Sequence, residues 1–196
     1  MKIATLRKKA REGSLEVEDL LQAAVEKQPG LSEELTRLGV TYGWQLQGLQ
    51  PDGTRVVPLA KWATVASSYA CEEFAGLRKL VQERENVPFV LGLVEQIKDN
   101  ESVSYTLELS DQYLGDLSKA ENLGFKVAST FNLLLSFKPA APLTSVQAKN
   151  VQNFLLALYP HAKSETHRAL VLLALRGVGD EDAIRFVESI PDFMEL

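Results

Sequence analysis

Few residues in this chain of 196 have the chemistry for catalysis or metal binding: Cys71, the sole cysteine, and two histidines, His161 and His167, with Glu165 between them. Two histidines share a metal readily when they stand three or four positions apart on one helical face. These two do not: His161 follows Pro160 in a predicted loop, and His167 opens a predicted helix. Both read as surface or capping residues. A catalytic thiol needs a nearby cation or a helix N-terminus to activate it. Cys71 falls mid-helix among Tyr69, Ala70 and Phe74, so it reads as a small packed core residue. The acid groups Glu72-Glu73, Glu83/Glu85 and Asp180-Glu181-Asp182 do not suit paired acid–base work, because adjacent carboxylates point apart on a helix. Gly177-Val178-Gly179 follows no strand and is a turn, not a dinucleotide loop. Tyr42, Trp44, Trp62 and Tyr69 could stack bases, but their spacing better fits a core between a hairpin and the next helix. No catalytic residue, cofactor-binding residue or metal ligand is assigned, and no cofactor is expected.

The composition narrows the function classes. A lone thiol excludes an intrachain disulfide and points to a reducing compartment, so the cytosol is expected. The first twelve residues carry charge where a secretory signal needs an apolar run. The longest apolar run, Ala169 to Leu175, falls far short of the ~20 residues that cross a bilayer. The net charge of −5 argues against general nucleic-acid binding, which depends on neutralising phosphates. The charge is also uneven. Residues 1–11 hold Lys2, Arg7, Lys8, Lys9 and Arg11 and no acid, whereas 12–34 hold seven acids against Lys27 alone. This reads as a basic helix face beside an acidic one, each solvated, or as a basic arm for an acidic partner.

The elements that would position these residues are mostly helices. A first helix is read over 1–11. Over 14–27, Val17, Leu20, Leu21, Ala24 and Val25 make one apolar stripe, Ser14 can cap it, and Pro29-Gly30 stops it. A short helix over Ser32–Leu38 follows, with Gly39 as its end. Val40, Tyr42, Trp44 and Leu46 alternate with smaller or polar residues, and Pro51-Asp52-Gly53-Thr54 is a turn signal, so one β-hairpin is predicted near 40–59. Helical spacing resumes from Lys61 to Arg84 and from Pro88 to Lys98. The stretch 103–115 fits both periods and is read as helix because its neighbours are helices. Ser118 with Glu121, and Thr144 with Gln147, form capping boxes ahead of helices reaching Phe137 and Leu158. Helices over about 165–177 and 180–190 close the chain, with Leu172 and Leu175 buried between them.

Two resemblances follow. The run from His167 through Leu175, Gly177-Val178-Gly179-Asp180 and Glu181-Asp182-Ala183-Ile184, continued by Phe186, Val187 and Ile190, resembles one HEAT-type repeat. Gly124–Phe137 with Thr144–Leu158 resembles a second copy about 40 residues upstream, near the repeat period. This resemblance implies a curved binding scaffold, usually for protein. At the other end, helices over 1–11, 14–27 and 32–39 and a hairpin over 42–59 follow the order of a winged helix, with Gly48 to Val57 resembling a wing tip. In that family the third helix enters the major groove. Here it reads Ser32-Glu33-Glu34-Leu35-Thr36-Arg37 and offers two carboxylates to a polyanion.

The expected architecture is therefore mostly α: HEAT-like helical hairpins with one β-hairpin near 40–59. Residues 1–60 and 61–196 form its two parts in one compact unit. The expected function is non-catalytic protein binding, as an adaptor or an inhibitor such as a toxin-immunity protein. The partner expected is another protein, basic in character; neither nucleic acid nor membrane is expected. The alternatives are a winged-helix transcriptional regulator and, third, an enzyme with an unrecognised site, such as a HEAT-like DNA glycosylase.

Overall fold

The computed structural model describes residues 1–43, 59–114, 117–136 and 143–190. The described residues form ten α-helices and no strand: α1 (Ile3–Glu12), α2 (Val17–Val25), α3 (Leu31–Thr41), α4 (Leu59–Leu80), α5 (Val87–Ile97), α6 (Asn100–Leu114), α7 (Leu117–Ser136), α8 (Ser145–Leu158), α9 (Glu165–Leu175) and α10 (Glu181–Glu188). The mostly α expectation holds. The hairpin expectation fails where it can be compared: Val40 and Thr41 are the last turn of α3, and Val40 is 84% exposed. The alternation that suggested a strand starts inside a helix that runs past Gly39. The rest of the expected hairpin, residues 44–58, lies outside the described residues. No helix among the described residues is long and apolar enough to cross a membrane.

Contacts gather the chain into two compact units, residues 1–96 and 97–196. The boundary expected after residue 60 falls within helix α4. In the first unit α4 packs on α2 and α3, which places it with the N-terminal helices.

Local signals set the ends of the first helices. Gly13, at φ 68°, closes α1, and the Gly13 and Ser14 N–H groups bond the Ala10 and Lys9 carbonyls. That left-handed closure is the usual use of glycine after a helix. It also places Ser14 at the end of α1, not at the start of α2. Glu16 precedes α2 instead, and its N–H donates to the Asp19 carboxylate at 3.0 Å.

Helix α4 is broken, where the sequence predicts one continuous helix. Glu73 sits at φ 52°, ψ −135°, and the chain turns back on itself. A Cβ added at Gly76 would lie 2.6 Å from the Ser68 carbonyl oxygen, although eight residues along a straight helix span about 12 Å. Tyr69 and Phe74 meet edge to face across the bend at 5.7 Å. Lys27, itself at φ 49°, pairs with Glu73. In the arm before the bend, Trp62 packs edge-on against Phe89 of α5, ring centres 5.2 Å apart.

In the second unit the ambiguous stretch is helical. Val103, Thr106, Leu109, Ser110 and Tyr113 of α6 are buried at helical spacing. Ser102, Thr106 and Ser110 are buried small hydroxyls on one face; Thr106 and Ser110 donate to helix carbonyls at 2.7 Å, which satisfies them without a partner helix. Helix α7 carries Phe125, Val127, Ala128, Phe131 and Leu134 into the core, and Phe131 meets Phe154 of α8. Ser118 falls inside the first turn of α7 and does not flank it. The Thr144–Gln147 box is present as expected, with Gln147 N–H to Thr144 Oγ1 at 3.1 Å. Gln147 also reaches Ser104 of α6 at 2.9 Å.

Helix α9 packs on α7 and α8. Its buried face is Val171, Ala174 and Leu175, whereas Leu172 is half-buried, contrary to expectation, and Leu173 is 45% exposed. A helix seated on α7 and α8 rotates Leu172 away from the core that it would share with α10.

Two measurements check this packing. Leu175→Ala should cost roughly 2–5 kcal/mol in chemical denaturation, and Leu172→Ala clearly less. Equal losses would place α9 in another rotation. Glu73→Gly should leave the protein as stable or raise its stability by roughly 1 kcal/mol, because glycine adopts this backbone region without penalty. A marked loss would show that the carboxylate outweighs the strain.

Candidate functional site

The strongest electrostatic feature is where the basic N-terminal segment meets the acids that follow it. Glu34 on α3 is 4% exposed, and Arg7 of α1 and Arg37 of α3 both donate to it. Arg7 Nη2 lies 2.7 Å from Glu34 Oε2; Arg37 Nε lies 3.3 Å from the same oxygen, and Arg37 Nη2 pairs with Oε1. Hydrogen bonds from Arg7 and then Arg37 hold the Glu34 carboxyl down to about 2, against the opposing effect of burial. Asp19, also buried, takes both oxygens to Lys9 Nζ at 2.8 Å. The basic and acidic segments are thus paired with each other, and two cations of the supposed basic arm are engaged within the chain.

A second cluster joins α8 to α10. Asp180 caps α10, accepting the Asp182 and Ala183 N–H groups at 3.0 and 3.2 Å, and takes Gln152 Nε2 at 2.7 Å and Lys149 Nζ at 3.2 Å. The Ala183 N–H and then Gln152 bring its carboxyl down to about 2. Phe186 packs edge-on against Tyr159 at 5.2 Å. With Ala183 and Phe186 turned inward, α10 presents another face outward: Glu181, Ile184 and Glu188 stand at i, i+3 and i+7 and so share one side. Ile184 is 56% exposed and the Glu181 side chain 88%. An apolar side chain stands between two carboxylates there.

Clefts lie among the described residues of the first unit. One, of about 580 Å³, runs between α3 and α4 past Leu35, Gly39, Ala63, Ser67 and Leu80. Three of its hydroxyls are engaged: Ser67 bonds Ser32 at 2.6 Å, and Thr36 and Thr64 donate to helix carbonyls at 3.0 Å. Another, of about 380 Å³, lies along α2 over Leu21 and Val25, beside Glu18 and Glu26. Glu26 is taken by the Met1 amine and Gln22.

The residues singled out in the sequence do not converge. Cys71 is exposed, not packed: on α4 before the bend Leu59, Ala63, Val65, Ala66 and Tyr69 are buried, and Cys71 is not among them. His167 stacks flat on Phe125 at 3.9 Å, with its N–H capped by Ser164, and His161 lies in the short 3-10 turn Tyr159–His161. No group of three metal-ligating side chains occurs among the described residues. Glu72 pairs with Lys79 and Glu85 with Lys61, each at 2.5 Å. Tyr69 is buried and Trp62 half-buried, each against a phenylalanine; Trp44 lies outside the described residues. The Glu34 pairing and the α10 stripe went unread in the sequence. The i, i+3, i+7 spacing was visible for the second, and no local signal exists for the first.

Comparison with protein-family models, with curated proteins and with solved structures finds no match.

The Glu34 cluster makes stability depend on acid. Its folded value of about 2 lies below the ordinary 4.5, so its contribution is complete above about pH 4.5 and is lost as pH falls towards 2. At neutral pH Glu34→Gln should be less stable by about 2 kcal/mol, discounted for guanidiniums half open to solvent. The gap between wild type and variant should close between about pH 5 and 2. Denaturation at a series of pH values measures it, and a pH-independent gap would assign the loss to packing.

Proposed function

We propose that this chain is a non-catalytic protein-binding module, an adaptor or an inhibitor of the toxin-immunity type, and that its partner is a basic protein. The observation that carries this reading is the outer face of α10, where exposed Ile184 stands between Glu181 and Glu188. An apolar anchor flanked by two carboxylates, one of them shared with Arg185, suits a surface that offers a pocket edged by Lys or Arg. The helical-repeat reading of the C-terminal part is supported by the stacking order. Helix α9 lies on α7, and α10 is tied to α8 through Asp180, so the second hairpin sits on the first, helix by like helix. The winged-helix reading draws less support. On α3, Arg37 is the one cation against Glu33 and Glu34, so the helix that would lie along a phosphate backbone carries a net negative charge.

The test is a complex reconstituted from purified components, the partner having been captured from the native host. Ile184 is exposed, so Ile184→Ser and the charge reversal Glu181→Lys/Glu188→Lys should change stability by no more than about 0.5 kcal/mol. Each should weaken the complex about tenfold or more, and the wild-type affinity should fall as salt rises. Unchanged affinity in the combined variant would remove α10 as the binding face. Tight, salt-dependent binding of duplex DNA in an anisotropy titration would favour the regulator reading instead.

A further inference from the structure

A buried carboxylate is neutralised by one guanidinium. Arg37 already meets Glu34 side-on, through Nε and Nη2 on its two oxygens. Arg7 adds a further donor at 2.7 Å, so the cluster holds two cations against one anion. The charges are also sorted by depth. Glu34 is 4% exposed, whereas the Arg7 and Arg37 side chains are 52% and 53% exposed. The anion lies beneath and the cations stand at the surface. Arg7 Nη2 and Arg37 Nε meet the same Glu34 oxygen, at 2.7 and 3.3 Å, which brings the two guanidiniums together around it. Two like charges held together by one shared counter-ion are relieved by a second anion presented from outside. The pair is also oriented in advance. The carboxylate holds Arg37 along one edge and Arg7 through Nη2, so less side-chain freedom remains to be lost when a ligand arrives.

We propose that Arg7 and Arg37 form a receptor for an oxyanion, a carboxylate or phosphate group with two free oxygens, gripped by the guanidinium N–H groups that do not bond Glu34. Bidentate contact with such a group is the interaction for which the guanidinium fork is suited. The receptor is separate from the α10 face and stands or falls without it. It gives an acidic chain a place that selects for negative charge, where α1 meets α3 in the first unit.

The experiment follows the Arg Nε–Hε resonances of the full-length protein by two-dimensional NMR, with inorganic phosphate in one titration and acetate in another, at constant ionic strength. The expected result is a saturable shift of Arg7 and Arg37 together, while exposed Arg11, one turn along α1, drifts without saturating. Tighter binding of phosphate assigns the ligand to the phosphoryl class, tighter binding of acetate to carboxylates, and equal binding supports a receptor for either oxyanion. Arg7→Gln should weaken the response of Arg37 about tenfold. Arg7→Lys, which keeps the charge and loses the fork, should fall between. Shifts that do not saturate, or that all arginines share equally, would overturn the proposal. The wild-type titration decides the outcome by itself, so instability of a variant does not obscure it.

Discussion

A carboxylate cannot be buried alone, and the N-terminal helices are arranged around that constraint. Asp19 and Glu34 are both nearly closed to solvent. Removing the partner of a buried charge costs roughly 3–5 kcal/mol, far more than most exposed ion pairs return. Leu6, Leu20, Leu31, Leu35 and Leu38 supply the apolar burial that drives the helices together, but oily contacts tolerate sliding and rotation. The pairs do not. Lys9 must meet Asp19 at the start of α2, and Arg7 must meet Glu34 on α3, so α1 is held in one register against both neighbours. Asp19 also accepts the Glu16 N–H, which binds the start of a helix and the seating of another helix into a single carboxylate.

What was legible in the sequence is what local chemistry determines. The Thr144–Gln147 box lies within four residues, and its hydrogen bonds need nothing from elsewhere. The helical reading of 103–115 rested on context, and the buried Ser102, Thr106 and Ser110 explain why periodicity was a poor guide there. Helix α6 buries hydroxyls among Val103, Leu109 and Tyr113, Ser102 donating to Asp99 and Thr106 and Ser110 to helix carbonyls, so hydrophobicity marks its inner face only in part. The overrun of α3 through Gly39 and the bend at Glu73 were illegible for opposite reasons. Glycine is a common stop, and here it is passed through. Glutamate is a good helix former, and here it takes a backbone conformation usually left to glycine.

The charge pattern was visible and its meaning was not. Five cations followed by seven acids suggest two solvated faces, because sequence shows order and not distance. Arg7 and Glu34 are 27 residues apart, and only the packing of α1 on α3 joins them. On α10 the difficulty was competition. In a helix of eight residues, Ala183 and Phe186 claim the inner side, and Ile184, one position along, is carried about 100° around to the outside.

The bend at Glu73 also governs how α4 opens. A helix ordinarily loses its hydrogen bonds from the ends inward, since its terminal groups have no partners within the helix. In α4 the non-helical residue interrupts the ladder at an interior position, creating two further termini within the 22-residue span. Amide protons just past the bend should therefore exchange with solvent deuterium ahead of those in the flanking arms, where Ala66, Tyr69 and Leu77 are buried. The longest helical span among the described residues would loosen from its middle, beside the exposed thiol of Cys71, and each arm would open as a separate cooperative unit.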